Sequence, residues 1–162
     1  MTDVAGPTVG HPAPAFKLPS SAGGELGPAD FAGKQALVLY FYPKDDTAGC
    51  TAEACQFRDL QAAFAAKGAA IVGVSPDSLK SHAKFAGKHG LSFPLLADEG
   101  ATVCRLYGVW KEKSMYGRRY MGVERTTFLI DRDGIVRKVY PKVSVTGHAD
   151  AVLRDLAALQ TT

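Results

Sequence analysis

Two thiols set the chemistry open to this sequence. Cys50 follows an apolar run, Ala36 to Tyr42, that stops at Pro43, and a short polar turn, Lys44-Asp45-Asp46-Thr47, lies between. Cys55 comes five residues later, in a segment whose apolar residues recur at helical spacing. A cysteine attacks as its thiolate. Its free pKa of about 8.5 falls at a helix N-terminus or beside a cation. The pattern places Cys50 in the first turn of the helix, where backbone N–H groups without intrahelical partners face it. Gly49 lets backbone and substrate approach closely. Thr47 supplies a hydroxyl three residues upstream, and Pro43 can shield one side of the site.

The spacing of the pair carries its own constraint. If both cysteines are helical, five residues separate their Cα atoms by roughly 8.6 Å, from a rise of about 7.5 Å and a rotation of roughly 140°. A disulfide needs Cα atoms within about 7 Å. The pair is therefore either two unrelated thiols or a redox switch whose closure unwinds the first helical turn. A zinc centre fits poorly, because C-x4-C is not a zinc spacing and no second Cys/His pair accompanies it. His11, His82, His89 and His148 lie singly and read as solvated or capping residues. Asp45-Asp46 reads as a helix-entry turn. Asp131-Arg132-Asp133-Gly134 opens like a calcium loop, but Lys142 stands where the closing Glu belongs, so it reads as a hairpin turn. No metal and no cofactor is expected.

The elements that position these residues follow from the hydrophobic pattern. Residues 1–14 hold three Pro and two Gly and read as an extended arm. Phe16 to Leu26, with Gly23-Gly24 inside it, suggests a small N-terminal hairpin. Gln35 to Tyr42 and Ala69 to Ser75 are buried strands, with a helix over Thr51 to Lys67 between them and Gly68 at its end. A helix capped by Asp77 or Ser78 runs to Gly90, with Leu79, Phe85 and Ala86 on one side. Pro94 to Ala97 is a short strand and Gly100 to Tyr107 a short helix. Lys111 to Glu124 is polar, basic and punctuated by glycine, and reads as a loop. Thr126 to Asp131 and Ile135 to Tyr140 flank Asp133-Gly134 as a hairpin. Gly147 to Leu159 is an amphipathic closing helix. This order predicts an α/β fold: a right-handed parallel unit extended by antiparallel strands, making a mixed sheet flanked by helices.

Composition narrows the function classes. A chain of 162 residues suits one domain, here residues 1–162, large enough for a core without staples. The net charge of +3 is too mild to predict nucleic-acid or membrane binding. No apolar window reaches a membrane-spanning length, and the first residues lack the pattern of a secretory signal. Three cysteines are too few for a disulfide scaffold. A cytoplasmic setting follows, where a cysteine pair is more often catalytic or sensing than structural. Cys104, beside Val103 and Leu106, reads as a packed thiol.

Pro43-x-x-x-Thr47-x-x-Cys50 resembles the active-site signature of the peroxiredoxins. LVLYFYPKDDTAGCTAEACQFRDL and RTTFLIDRDG resemble the peroxiredoxin Q group, also called bacterioferritin comigratory protein, and the likeness runs from about Gly10 to the last helix. The resemblance implies a thioredoxin-like fold and a thiol-dependent peroxidase acting on hydrogen peroxide and organic hydroperoxides. It gives Cys50 the peroxidatic role and has Thr47 hydrogen-bond thiolate and peroxide. Pro43 shelters the sulfenic acid, and Arg125 stabilises the thiolate and orients the substrate. It makes Cys55 the resolving cysteine, in an intramolecular disulfide with Cys50. The helix from Ser78 to Gly90, where other members carry that cysteine, contains none. The implied electron donor is thioredoxin or a similar dithiol protein, and the group is often monomeric. Glu53, one turn past Cys50, is a candidate for ordering the pocket. Two other classes remain open on the residues alone: a redox-sensing interaction protein using the same switch, and a disulfide reductase, which the lack of C-x-x-C weakens.

Overall fold

The structure, a computed structural model, describes residues 6–160. The first five residues of the predicted arm lie outside them. The remainder of the arm is tied down. Pro12 bridges to Ile135, Gly10 N donates to Val136 O, and Ala13 N donates to Gly134 O.

The small hairpin forms as β1 (Leu18–Pro19) and β2 (Glu25–Leu26), followed by a 3-10 turn at Pro28–Asp30. Then come β3 (Ala36–Phe41), α1 (Ala48–Ala66), β4 (Ala69–Ser75), α2 (Leu79–His89), β5 (Leu95–Ala97) and α3 (Thr102–Leu106). After these the chain forms β6 (Trp110–Met115), β7 (Arg118–Val123), β8 (Thr126–Ile130), β9 (Val136–Tyr140) and α4 (His148–Gln160). The main sheet has the order β5-β4-β3-β8-β9. β3, β4 and β5 run parallel, while β8 pairs antiparallel with β3 and with β9. This is the mixed sheet of a thioredoxin-like fold.

β3 is central, and all of its residues are buried, which explains its unbroken apolar run. Its side chains alternate between two cores. Val38 and Tyr40 join Phe57 and Phe64 of α1, Phe85 of α2 and Val152 of α4. Leu37, Leu39 and Phe41 join Val103, Tyr107 and Phe128 on the opposite face, which Phe16 and the small hairpin cover. The sheet is thus held from both sides just below the end of β3, where the thiol segment begins.

Four expectations need correction. Lys111 to Glu124 is a hairpin, β6–β7, registered from Trp110↔Val123 to Met115↔Arg118. Tyr116 (φ 52°) and Gly117 (φ 77°) both take positive φ, as a tight two-residue hairpin turn requires. The strand signal was hidden because most of the ribbon faces solvent on both sides, so no apolar alternation marks it. Second, His82 and His148 are buried, not solvated, because each has hydrogen-bonding partners inside the protein. Third, on α2 Leu79 points outward, while His82 and Phe85 face the core. Helix α1 also starts three residues earlier than its apolar pattern suggests, at Ala48.

Candidate active site

The thiol segment leaves the sheet at Tyr42, whose N–H still donates to Val74 O. Pro43 cannot continue the ladder. The turn closes through Asp46, at φ 62°, and Thr47 is the extended N-cap residue of α1. Cys50 therefore occupies the third helical position, among N–H groups that have no intrahelical acceptor. Its side chain is 1% exposed.

Arg125 completes the site from the short segment between β7 and β8. Its Nη2 donates to Cys50 Sγ at 3.3 Å, and its Nη1 donates to Glu53 Oε1 at 2.6 Å. The backbone of Arg125 is fixed in turn, since its carbonyl accepts from Val143 N. Glu53 lies one turn below Cys50 and is fully buried, with Oε2 unpartnered. Burial pushes the Glu53 carboxyl up to about 7, against the pull of the Arg125 charge. Burial opposes the charge on Arg125, but Glu53 and Cys50 more than offset it and hold its pKa above the usual value. Gly49 gives this approach its room, because a Cβ there would stand 3.1 Å from Arg125 Nη2.

Thr47 and Pro43 lie on the turn that leads into α1. Pro43 is half-buried and Thr47 is exposed. The Thr47 hydroxyl donates to Lys44 O at 2.9 Å, which leaves its oxygen lone pairs free to accept. Cys55 is half-buried on α1 and, like Cys50, is a free thiol. Arg58 lies near it on the same helix. The arrangement brings together a buried thiol at a helix start, a guanidinium aimed at its sulfur, and a second thiol on the same helix. A cleft lined by Lys34, Lys67, Asp131 and Arg137 sits at the opposite end of the sheet and holds none of these residues.

Residues 9–139 match the AhpC/TSA family. The chain belongs to that family. A putative peroxiredoxin bcp of Coxiella burnetii is 49% identical over 145 residues, 90% of this chain and 95% of that protein. A solved peroxiredoxin Q of Xanthomonas campestris superposes with a TM-score of 0.83 at 48% identity, covering 88% of this chain and 90% of that one. A further Xanthomonas campestris structure, of a bacterioferritin comigratory protein studied for alkyl peroxide reduction, gives a TM-score of 0.83 at 47% identity, over 88% and 90% of the two chains. This chain is thus a peroxiredoxin of the Q group, a thiol-dependent peroxidase.

In this peroxiredoxin the turn that carries Pro43 and Thr47 is clamped from below by a buried knot that its sequence did not reveal. Asp45 accepts from Tyr42 Oη at 2.6 Å, from Ser81 Oγ at 2.8 Å and from His82 Nδ1 at 2.7 Å. His82 Nε2 faces Leu96 O at 2.9 Å. Both ring nitrogens thus lie within hydrogen-bonding distance of oxygens, which fixes the ring in place. Asp77 adds a bond from Asp45 N at 2.7 Å and one from Ser75 Oγ. Ligand-type atoms of Asp45, Asp77 and His82 lie within 4.8 Å of one another, but hydrogen bonds already occupy them. The cluster is therefore a clamp between the active-site turn and α2. The usable signal was the helical spacing of His82 and Phe85 on one face of α2.

Cys104 stands outside the peroxiredoxin chemistry. It is buried on α3, and burial, with Asp98 beside it, pushes its thiol far up. A protonated buried thiol is a poor nucleophile.

Proposed function

We propose that Cys50 is the peroxidatic cysteine and Cys55 its resolving partner, in a cycle that reduces hydrogen peroxide and organic hydroperoxides. The observation that carries this reading is the 3.3 Å contact from Arg125 Nη2 to the Cys50 sulfur at the start of α1. The guanidinium favours the thiolate and stands where charge develops on the peroxide. The Cys50 sulfur attacks one peroxide oxygen, the O–O bond breaks, and the departing oxygen leaves as water or an alcohol after taking a proton. Donors fixed around that oxygen lower the barrier, because they need no reorganisation as charge grows there. Thr47 accepts from the bound hydroperoxide through its free lone pairs, and Pro43 covers the resulting sulfenic acid.

The Cys55 thiol then displaces the hydroxyl of that sulfenic acid, releasing water and forming the disulfide. Both cysteines belong to the continuous helix α1, so closure requires its first turns to unwind. Thioredoxin or a similar dithiol protein supplies two electrons by exchange, which returns both thiols. We read the chain as one catalytic domain acting as a cytoplasmic monomer, a setting in which a dithiol donor stays reduced. Peroxide consumption coupled to thioredoxin tests the assignment in wild type, Cys50→Ser and Cys55→Ser. Turnover vanishes in the first variant. In the second, one peroxide equivalent leaves a sulfenic acid in place of a disulfide. Full turnover by Cys50→Ser would refute the reading.

A further inference from the structure

The β6–β7 hairpin is the most conspicuous surface left without a role. Its strands and turn hold Lys111, Lys113, Arg118 and Arg119 against a single acid, Glu112, a surplus equal to the +3 of the whole chain. Met115, Tyr116, Tyr120 and Met121 are exposed on it, Tyr116 by 98%. Its base is firmly held. Val123 is buried, and Trp110, paired with it, packs under the Arg105 guanidinium.

Register sorts these side chains, because directly paired residues of an antiparallel ribbon share a face. Lys111, Lys113, Met115, Arg118 and Tyr120 fall on one face. Glu112 falls on the other, where it pairs with Arg119 at 3.6 Å. The first face therefore carries three cations, two exposed apolar side chains and no acid. The ribbon also leads directly into the active site. β7 reaches Arg125 through Glu124 alone, and Lys113 lies near enough to Arg125 and Cys50 for both charges to act on it.

We propose that this face is the docking surface for the dithiol reductant, a protein whose reactive thiols are bordered by acidic and apolar side chains. The inference rests on the peroxidase reading above and names where its electron donor binds. Charge selects the occupant. A second copy of this chain would set one cationic ribbon against another, which is repulsive. An acidic partner is attracted, steered and aligned by the same charges. Met115 and Tyr120 give it the apolar contact on which a short-lived complex depends. Held there, the partner's thiolate attacks the Cys50–Cys55 disulfide and one cysteine leaves as thiolate. The partner's second thiol then closes its own disulfide, so two electrons pass and both cysteines are restored.

The test compares wild type with Arg118→Glu, Met115→Ser and Arg119→Glu, the last changing the opposite face. Each is assayed with an acidic-surfaced thioredoxin and separately with dithiothreitol, which needs no docking surface. Arg118→Glu and Met115→Ser are expected to raise the KM for thioredoxin roughly tenfold and roughly threefold, with dithiothreitol turnover unchanged. Arg119→Glu is expected to change it less than twofold. The wild-type KM for thioredoxin is expected to rise with salt. An unchanged KM in Arg118→Glu would overturn the proposal, as would equal losses in Arg118→Glu and Arg119→Glu. Wild type that turns over with dithiothreitol but not with thioredoxin would overturn it too. Wild type inactive with both would fail the peroxidase reading itself and take this inference with it.

Discussion

Glu53 Oε1 lies 2.6 Å from Arg125 Nη1, and this contact decides which way the guanidinium points. One edge of the fork is held by Glu53, and the other is left for the Cys50 sulfur. Glu53→Gln keeps an acceptor but removes its charge, so the bond weakens and the guanidinium loosens. Cys50 oxidation is expected to slow about tenfold, equivalent to roughly 1.4 kcal/mol. Arg125→Ala removes the donor and is expected to cost on the order of a hundredfold or more. Stopped-flow peroxide oxidation measures both, and equal rates in wild type and Glu53→Gln would remove Glu53 from the site.

The Asp45–His82 clamp makes a different prediction. Removing the ring takes a buried hydrogen-bond partner from Asp45 and from Leu96 O, at a cost of about 1–3 kcal/mol. His82→Ala is therefore expected to destabilise the fold by about 2 kcal/mol, somewhat softened because Tyr42 and Ser81 still donate to Asp45. Urea unfolding measures this. The turn holding Pro43 and Thr47 should loosen as well, so peroxide reactivity should fall in the fraction that remains folded. A loss under 1 kcal/mol would show that water replaces the ring without penalty.

The main sheet and the turn that carries Cys50 were readable in the sequence for a physical reason. β3 and β4 are buried on both faces, so their composition carries an unmistakable apolar run. Cys50 and Thr47 sit in a local turn whose spacing is itself the signal. Arg125 is 75 residues from Cys50, and no local pattern links them, so only the resemblance named it. The β6–β7 ribbon escaped notice because its strands bury almost nothing. His82 escaped because its one local signal, the helical spacing with Phe85, marks a buried side of α2 but names no polar partner. Asp45, which fixes its role, is 37 residues away.

Two buried groups should tilt the pH dependence of stability in opposite directions. Glu53 is raised from 4.5 to about 7, so between those values the folded state holds a proton that the unfolded chain has released. Its contribution is complete below pH 4.5 and is lost as pH rises through 7. His148 is lowered from 6.5 to about 4, chiefly by burial and then by the charge of Arg125. Its contribution is complete above pH 6.5 and is lost as pH falls through 4. Each shift corresponds to no more than about 3 kcal/mol. Relative to wild type, Glu53→Gln should gain stability as pH climbs from 4.5 to 7, and His148→Gln should gain as it drops from 6.5 to 4. Denaturant midpoints at several pH values check the signs, and parallel curves for wild type and variants would contradict both.

Formation of the Cys50–Cys55 disulfide must melt part of α1, and packing sets how much. Phe57 is fully buried and stacks on Tyr40 at 4.8 Å, and Phe64 packs one side of the same core. Releasing Phe57 would cost several kcal/mol, on the order of a Phe-to-Ala truncation in a core. The turns before it are held more lightly, by the Cys50–Arg125 contact and the Glu53 pair, and oxidation of Cys50 removes the thiolate that Arg125 attracts. The unwinding should therefore stop near residue 56. Hydrogen exchange after one equivalent of peroxide is expected to accelerate at amides 48–56 and stay slow at 57–66. Cys55→Ser, treated in the same way, should keep slow exchange throughout α1, because a sulfenic acid alone imposes no strain on the helix. Fast exchange along the whole of α1 in the oxidised wild type would show that the aromatic anchor does not hold. Unchanged exchange at 48–56 would show that the two cysteines do not bridge.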